Sequence, residues 1–155
     1  MSDLKIRVAT EDDAPVLGAL VQRAIRTSSS ADYAPAIIEA MCANFEPDKF
    51  LERMAARDVF AAIQDGTVVG TVSFSLPRSK LYSLFIEPHI QRAGIGRCLV
   101  HHVERHAAAR GCASLQLSAS IGARPFYERL GYETVTFEER VSDGSTWLMR
   151  KALPA

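Results

Sequence analysis

Apolar and polar residues follow different repeats along the first third of the chain. Residues 6–9 alternate, which predicts a strand, and apolar residues within 16–25 recur at helical spacing. Thr10 precedes three acidic residues and is placed to cap this helix. Two later prolines fit the first turn of further helices. The pattern predicts one strand and then three helices, the second over Pro35–Ala43 and the third over Pro47–Ala56.

Three apolar runs in the middle of the chain predict a meander of strands. The runs at 59–64 and 67–76 flank Asp65-Gly66, a dipeptide that is strongly favoured in tight hairpin turns. The following run, residues 80–86, ends before Pro88 and predicts a fourth strand.

The second half of the chain mixes helical and strand patterns. A helix is predicted from about Gly94 to Arg110, with Gly111 as its natural stop. Further elements follow in order: a strand at 114–120, a short helix at 125–130, and two strands at 132–141 and 146–153 joined through Asp143-Gly144. Because a helix joins the fourth and fifth strands, we expect them to be parallel neighbours. The whole order predicts a mixed α/β fold in which helices cover a sheet.

Composition narrows the class of protein. The 155 residues are 48% hydrophobic and their formal net charge is zero, which fits one compact domain that we expect to span residues 1–155. The basic excess typical of sequence-independent nucleic-acid binders is absent. No apolar stretch reaches the ~20 residues that span a bilayer, and the charged N-terminus does not read as a secretory signal. We expect a cytoplasmic protein with no nucleic-acid or membrane partner, and its three well-separated cysteines fit a reducing compartment.

Two glycines stand where the fourth strand gives way to the long helix. Gly94 and Gly96 allow a ligand to approach the free N–H groups of the helix start, which carry a partial positive charge. Arg92 and Arg97 add formal charge, so a phosphate or pyrophosphate is the expected ligand. The dinucleotide fingerprint needs a third glycine where Leu99 stands, and the P-loop pattern is absent.

Two longer stretches carry a more specific signal. Leu84-Phe85-Ile86-Glu87-Pro88 followed by Gln91-Arg92-Ala93-Gly94-Ile95-Gly96 resembles the acyl-CoA site of the GNAT-type N-acetyltransferases, in which a strand ends in apolar-x-Pro and [QR]-x-x-G-x-[GA] opens a helix. The stretch 119–132 resembles that family's second signature, A-x-x-[FL]-Y-x-x-x-G-[FY]. The resemblance implies a single mixed, mostly antiparallel sheet of about seven strands with helices on both faces. It also implies that the parallel fourth and fifth strands splay apart.

The resemblance further implies an acetyl-CoA-dependent N-acetyltransferase that needs no metal and acts by direct attack of a primary amine. The implied cofactor residues are of two kinds: amides that cradle the pyrophosphate, from Arg92, Ala93, Gly94, Ile95, Gly96 and Arg97, and exposed backbone that pairs with the pantetheine arm, at Leu84 and Ile86. Ser120 stands where many members place a cofactor-binding asparagine. A non-catalytic acyl-CoA-binding regulatory module on the same fold stays open as the alternative.

Proton transfer requires an acid and a base. Tyr127 matches the family's tyrosine that protonates the leaving thiolate, which is general-acid catalysis. Some members carry a basic glutamate on the fifth strand, but residues 114–118 contain no carboxylate. We take Glu87 as the leading candidate for the base, with other candidates left open: His89, Tyr82 and Glu46.

A few residues bear on the identity of the acceptor amine. Tyr33 lies in the segment that lines the acceptor side of the resembling fold, and is a candidate substrate contact. Acidic residues at 32, 39 and 46 favour a cationic small molecule as the amine, and pairing of the last strands in a homodimer stays open. Three histidines on the long helix, at 101, 102 and 106, lack the metalloprotease pattern and are expected to be structural.

Overall fold

Within the part of the chain that the structure describes, a seven-stranded sheet is flanked by five α-helices. The structure, a computed structural model, describes residues 3–90, 94–140 and 144–154. The strands are β1 (Leu4–Val8), β2 (Asp58–Gln64), β3 (Thr67–Ser75), β4 (Lys80–Ile86), β5 (Ser114–Ser120), β6 (Glu133–Glu138) and β7 (Thr146–Ala152). The α-helices are α1 (Ala14–Ser28), α2 (Pro35–Ala43), α3 (Pro47–Ala56), α4 (Ile95–Ala109) and α5 (Arg124–Arg129).

The predicted elements are all present, with small shifts at some ends. The first helix begins at Ala14 because residues 11–13 form a short 3-10 turn before it. The carboxylate of Asp13 accepts the backbone N–H of Thr10 at 2.7 Å, so the chain closes a capping turn before the regular helix starts. The first strand likewise runs from Leu4 to Val8 rather than from residue 6 to 9.

Strand order confirms the predicted mixed sheet. The order is β1-β2-β3-β4-β5-β7-β6, and every neighbouring pair is antiparallel except β4 and β5. The last strand, β7, lies between β5 and β6, and the parallel pair lies near the middle of the sheet. In open α/β sheets, ligands bind beyond the carboxyl ends of the parallel strands.

The two faces of the sheet are covered by different helices. On one face α4 and α5 pack on a core that includes Leu99, Val103 and Leu117. On the other face α1, α2 and α3 pack on a second core that includes Leu17 and Phe50. Alternating residues of the central strands reach the two cores, as the period of two requires.

The parallel strands pair over only two residues. Lys80 pairs with Gln116 and Leu81 with Leu117, after which the two strands separate. A register shift in the β3–β4 pairing places an extra residue in β4, and Ser83 has a φ of 55°, which bends the strand away. We call the gap beyond Leu81 and Leu117 the fork; the predicted splaying of these strands is confirmed.

None of the helices in the described residues combines the length and the apolar character that a membrane span requires.

Candidate active site

A cleft of about 1100 Å³ opens at the fork. Its walls come from β4, β5, α1, α4 and α5, so it reaches both faces of the sheet. Predicted site residues that line it are Leu84, Ile86, Gly94, Ile95, Gly96, Arg97, Ser120 and Tyr127. The fold therefore brings together residues of β4, the start of α4, β5 and α5.

The edge of β4 in the fork presents backbone groups without a strand partner. The N–H of Glu87 donates to the carbonyl of Val69 on β3 at 2.8 Å. Because backbone groups alternate in direction along a strand, those of Ile86 and, two residues earlier, Leu84 point toward the fork. β5 has already diverged at this level, so an extended ligand can pair with this edge as an additional strand does.

The start of α4 closes one end of the cleft. Gly94 has a φ of 77°, a left-handed conformation that favours glycine, and it directly precedes Ile95, the first helical residue. A Cβ on Gly96 would lie 3.2 Å from the ring of Phe126, a tight contact, so glycine lets α4 approach α5 this closely without displacing that ring. Free N–H groups of α4 therefore meet the cleft beside the Arg97 side chain. Arg92 and Ala93, predicted to join this cradle, lie outside the described residues.

Tyr127 lies on the far wall of the cleft. Its side chain is buried against Phe126, with ring centroids 5.0 Å apart, and against Tyr132, at 5.9 Å. Burial raises the pKa of the phenol, so the group keeps its proton at neutral pH. Within the described part of the chain its hydroxyl has no hydrogen-bond partner.

Glu87 is held by an arginine. Both of its carboxylate oxygens accept hydrogen bonds from Arg23 on α1, at 2.6 and 3.1 Å. This pairing lowers the pKa of Glu87, which keeps it ionised but makes it a weaker base. Its role as the base therefore remains a prediction, with the added requirement that the ion pair must open or share the carboxylate.

The alternative bases are also placed by the structure. The Tyr82 ring lies beneath the guanidinium of Arg57, 3.7 Å away. The Glu46 carboxylate accepts the side-chain amide of Gln22 at 3.2 Å, and His89 is exposed.

Tyr33 connects two distant segments of the chain by hydrogen bonds and is not among the residues that line the large cleft. Its hydroxyl donates to the carbonyl of Ser145 at 2.7 Å and accepts the N–H of Ile121 at 3.1 Å. Its side chain is buried, and it borders a separate cavity of about 270 Å³. The substrate contact stays a prediction, and the hydroxyl already donates one hydrogen bond and accepts another.

Sequence reasoning missed one carboxylate that lies close to β5. Glu138 on β6 accepts hydrogen bonds from Ser118 on β5 at 2.7 Å and from Thr146 on β7 at 3.0 Å. Burial raises the pKa of Glu138, but these hydrogen bonds outweigh it and leave the pKa lowered. No sequence signal places Glu138 here, because the contact depends on β7 entering the sheet between β5 and β6.

The three histidines of α4 make separate contacts. The His101 ring lies 3.0 Å from the carboxylate of Glu104, and the His106 ring lies 2.9 Å from that of Asp58. The His102 ring packs edge-on against Phe60 with centroids 4.6 Å apart. Across residues 3–90, 94–140 and 144–154, no group of three or more metal-ligating side chains comes together.

Sequence comparison agrees with this geometry. A family model described as an acetyltransferase (GNAT) domain matches residues 29–153. The uncharacterized N-acetyltransferase YafP of Escherichia coli strain K12 is 30% identical over 149 residues, which cover 95% of this chain and 92% of the relative. The ribosomal protein bS18-alanine N-acetyltransferase of that strain is 31% identical over 85 residues, 51% of this chain and 57% of that protein.

Solved structures share the fold over almost the whole chain. A GCN5-related N-acetyltransferase from Rhodopseudomonas palustris superposes with a TM-score of 0.91 at 26% identity, covering 99% of this chain and 98% of the other. The PaiA N-acetyltransferase of Thermoplasma acidophilum, in complex with coenzyme A, gives 0.84 at 18% identity, covering 97% and 99%. The family model spans most of the sequence and the fold agrees with it, so the chain belongs to the GNAT family of N-acetyltransferases.

Proposed function

We propose that this protein transfers the acetyl group of acetyl-CoA to the primary amine of a small molecule. One observation carries the proposal: an unpaired strand edge, a glycine-started helix and a buried tyrosine line the same cleft. An extended thioester with a diphosphate at one end matches these three features in order. No metal is needed for the reaction proposed here.

The cofactor would lie along the fork. The pantetheine arm would pair with the backbone of Leu84 and Ile86, and Ser120 would face it from β5. The diphosphate would accept the N–H groups from Gly94 to Arg97, with Arg92 and Ala93 proposed to extend the cradle. The partial charge of the helix start and the guanidinium of Arg97 both favour an anion at this point.

The chemistry needs one acid and one base. The amine nitrogen attacks the carbonyl carbon, the carbon–sulfur bond of the tetrahedral intermediate breaks, and the sulfur leaves as a thiolate. Tyr127 donates its phenolic proton to the sulfur and recovers a proton that originates on the attacking amine. Burial raises the pKa of the Tyr127 phenol. The same surroundings raise the proton affinity of a thiolate, so burial does not by itself oppose proton transfer from the phenol to the sulfur.

Two carboxylates are candidates for the base. Glu87 stands at the end of β4, where its ion pair with Arg23 weakens it, and Glu138 reaches Ser118 on β5. Single changes of each to Gln separate them, because only the loss of the base should remove the acid limb of the pH profile of kcat/KM. A cytoplasmic location suits the proposal, since acetyl-CoA is available there and the free cysteines fit reducing conditions.

The first test combines binding with turnover. We expect coenzyme A to raise the melting temperature, with ATP and NAD having little effect, because a ligand of the folded state stabilises it. We also expect thiol release from acetyl-CoA with a panel of amines. Stabilisation by coenzyme A with no amine-dependent thiol release would support the non-catalytic acyl-CoA-binding module instead. Equal stabilisation by all three ligands would contradict both interpretations.

A further inference from the structure

An arginine without a counter-ion lies on the face of the sheet opposite α4. The guanidinium carbon of Arg57, the residue before β2, stacks 3.7 Å above the ring of Tyr82 on β4. Its Nη1 is buried and has no hydrogen-bond partner, and no carboxylate lies within 4.0 Å of Arg57 in the described part of the chain. The remaining guanidinium nitrogens belong to a side chain that is only half-buried.

Strand register places this guanidinium at the base of the fork. Leu81 is the last residue of β4 that pairs with β5, and it points into the core beneath α4. Tyr82 is the next residue, so its side chain points to the opposite face, where α1, α2 and α3 lie. Ser118 follows Leu117 on β5 in the same way, and it holds Glu138. The side chains of Tyr82 and Ser118 therefore flank the point where β4 and β5 separate, on the face of the sheet away from Tyr127.

The surroundings of Arg57 are positively charged. The Lys80 ammonium lies 5.2 Å from the Tyr82 ring, and burial together with the nearby charge of Arg78 lowers the pKa of Arg57. The charge of Lys80 acts on Glu138, and this carboxylate already accepts two hydroxyl groups. Stacking on tyrosine offsets part of the cost of burying the charge, but the planar fork of donors still lacks an acceptor.

The chemistry of this position selects a carboxylate. A guanidinium held flat on an aromatic ring has a fixed orientation. Because Nη1 is buried, the donors left for a ligand are those of Nε and Nη2, whose two N–H groups match the two oxygens of a carboxylate. Of the three acidic residues that favoured a cationic acceptor, Glu39 pairs with Arg26 and Glu46 accepts from Gln22, while Asp32 borders the smaller cavity beside Tyr33. At the base of the fork, by contrast, the charge without a partner within the described residues is the guanidinium of Arg57.

We propose that the acceptor is a small amine that also carries a carboxylate, and that Arg57 binds this carboxylate beside the fork. The amine end then lies between Tyr82 and Ser118, facing the thioester. This inference rests on the proposed acetyl transfer and adds the charge class of its substrate.

The test uses matched amines that differ only in the anionic group. A series of ω-amino acids of increasing chain length is compared with the corresponding carboxamides, which have a similar remote amine but no charge. For at least one length we expect kcat/KM of the wild-type protein to be at least about tenfold higher for the carboxylate. Equal rates, or a preference for the carboxamides at every length, would overturn the proposal while leaving acetyl transfer intact.

Variants assign the preference to Arg57. Arg57→Gln should abolish it by raising KM for the carboxylates, while the carboxamides keep their rates, and Arg57→Lys should retain part of it. Arg105→Gln, a change at an exposed arginine on α4, is the matched control and should keep the full preference. An undiminished preference in Arg57→Gln would contradict the proposal. A variant that fails to fold would be recognised because it would lose activity with the carboxamides as well.

A binding experiment separates this proposal from the proposed reaction. With coenzyme A present, butanoate should raise the melting temperature of the wild-type protein more than butanamide does, and Arg57→Gln should remove the difference. If that result is found and no amine is acetylated, the acceptor site stands and the acetyl-transfer proposal fails. If butanoate and butanamide act alike and no carboxylate is preferred in turnover, the carboxylate site is excluded.

Discussion

The two sides of α5 bury two tyrosines in different ways. On the side away from the cleft, which we call the closed side, the hydroxyl of Tyr132 donates a hydrogen bond to the Glu104 carboxylate at 2.8 Å. The same carboxylate accepts a hydrogen bond from the Lys151 ammonium at 3.0 Å. On the cleft side, Tyr127 has its ring packed but no partner for its hydroxyl in the described part of the chain. Burial raises the pKa of both phenols. Burial and a raised pKa therefore do not distinguish the two tyrosines. The proposed acid role of Tyr127 is supported instead by a hydroxyl that borders the cleft and makes no hydrogen bond within the described residues.

The largest expected effect is on turnover when the cleft-side hydroxyl is removed. Tyr127→Phe should lower kcat by about 10²-fold, because a general acid contributes roughly that much or more. Its melting temperature should change little, since the removed hydroxyl makes no hydrogen bond within the described residues. Steady-state thiol release and thermal unfolding measure the two effects.

Tyr132→Phe is the matched control and should show the reverse. It removes a hydrogen bond to a charged group, so the free energy of unfolding should fall by about 1.5–3 kcal/mol with kcat nearly unchanged. If the two variants lost turnover to the same extent, the distinction between the two sides of α5 would not hold.

A second prediction concerns the glycines at the two ends of α4. Gly94 and Gly111 have φ values of 77° and 87°, so alanine at either position should cost about 1–2 kcal/mol of stability. Only Gly94→Ala should also weaken coenzyme A, by about tenfold, because a strained turn moves the N–H groups that meet the diphosphate. Calorimetric titration with coenzyme A measures the affinity of both variants. Equal affinities would contradict the proposal that the turn at Gly94 positions N–H groups for the diphosphate.

A third prediction concerns the closed side alone. Glu104→Gln should lower the free energy of unfolding by about 1–3 kcal/mol at neutral pH, because Tyr132 and Lys151 lose a charged acceptor. Burial raises the pKa of Glu104, but the hydrogen bonds from His101, Tyr132 and Lys151 leave it lowered overall. Denaturant unfolding of both proteins at several pH values measures the difference.

The sign of its pH dependence follows from that lowered pKa. A carboxyl whose pKa is lower in the folded state adds stability that is complete above its ordinary value, 4.5, and is lost as the pH falls through the folded pKa. The difference between wild type and Glu104→Gln should thus shrink below about pH 4.5. A difference that grows with acid would show that Glu104 is protonated in the folded protein.

The smallest expected effect is at Arg23. Arg23→Gln releases Glu87, and the loss of this exposed ion pair should cost only about 0.2–1 kcal/mol. Without its partner the pKa of Glu87 rises toward its ordinary value, so the acid limb of kcat/KM should move to higher pH if Glu87 is the base. An unmoved limb would assign the base to another group, and Glu138→Gln would then be the informative variant.

Much of the fold was predictable because local pattern and fold agree. The bounds of α2, α3, β4 and β5 match the predicted segments, since prolines, glycines and apolar periods mark both ends of each. The insertion of β7 between β5 and β6 was not predictable, because two adjacent strands pair with each other in either arrangement. The bend at Ser83 also leaves no local signal, since a serine with positive φ is set by its surroundings.

The candidate site shows the same contrast between local and distant signals. Residues that belong to contiguous motifs, such as Gly94, Gly96 and Tyr127, lie on the cleft as predicted. Residues whose role depends on distant partners were not accessible to pattern reasoning. Glu138 reaches β5 only across β7, and the hydroxyl of Tyr33 is occupied by two segments that are remote in sequence.

We propose above that the β4 edge in the fork binds the arm of coenzyme A as a strand would. Backbone amide exchange followed by NMR tests this most directly, with Glu87 as an internal control because its N–H already donates to Val69. On adding coenzyme A, exchange of the Ile86 amide should slow markedly while that of Glu87 stays the same. Unchanged exchange at Ile86 under saturating coenzyme A would contradict the account.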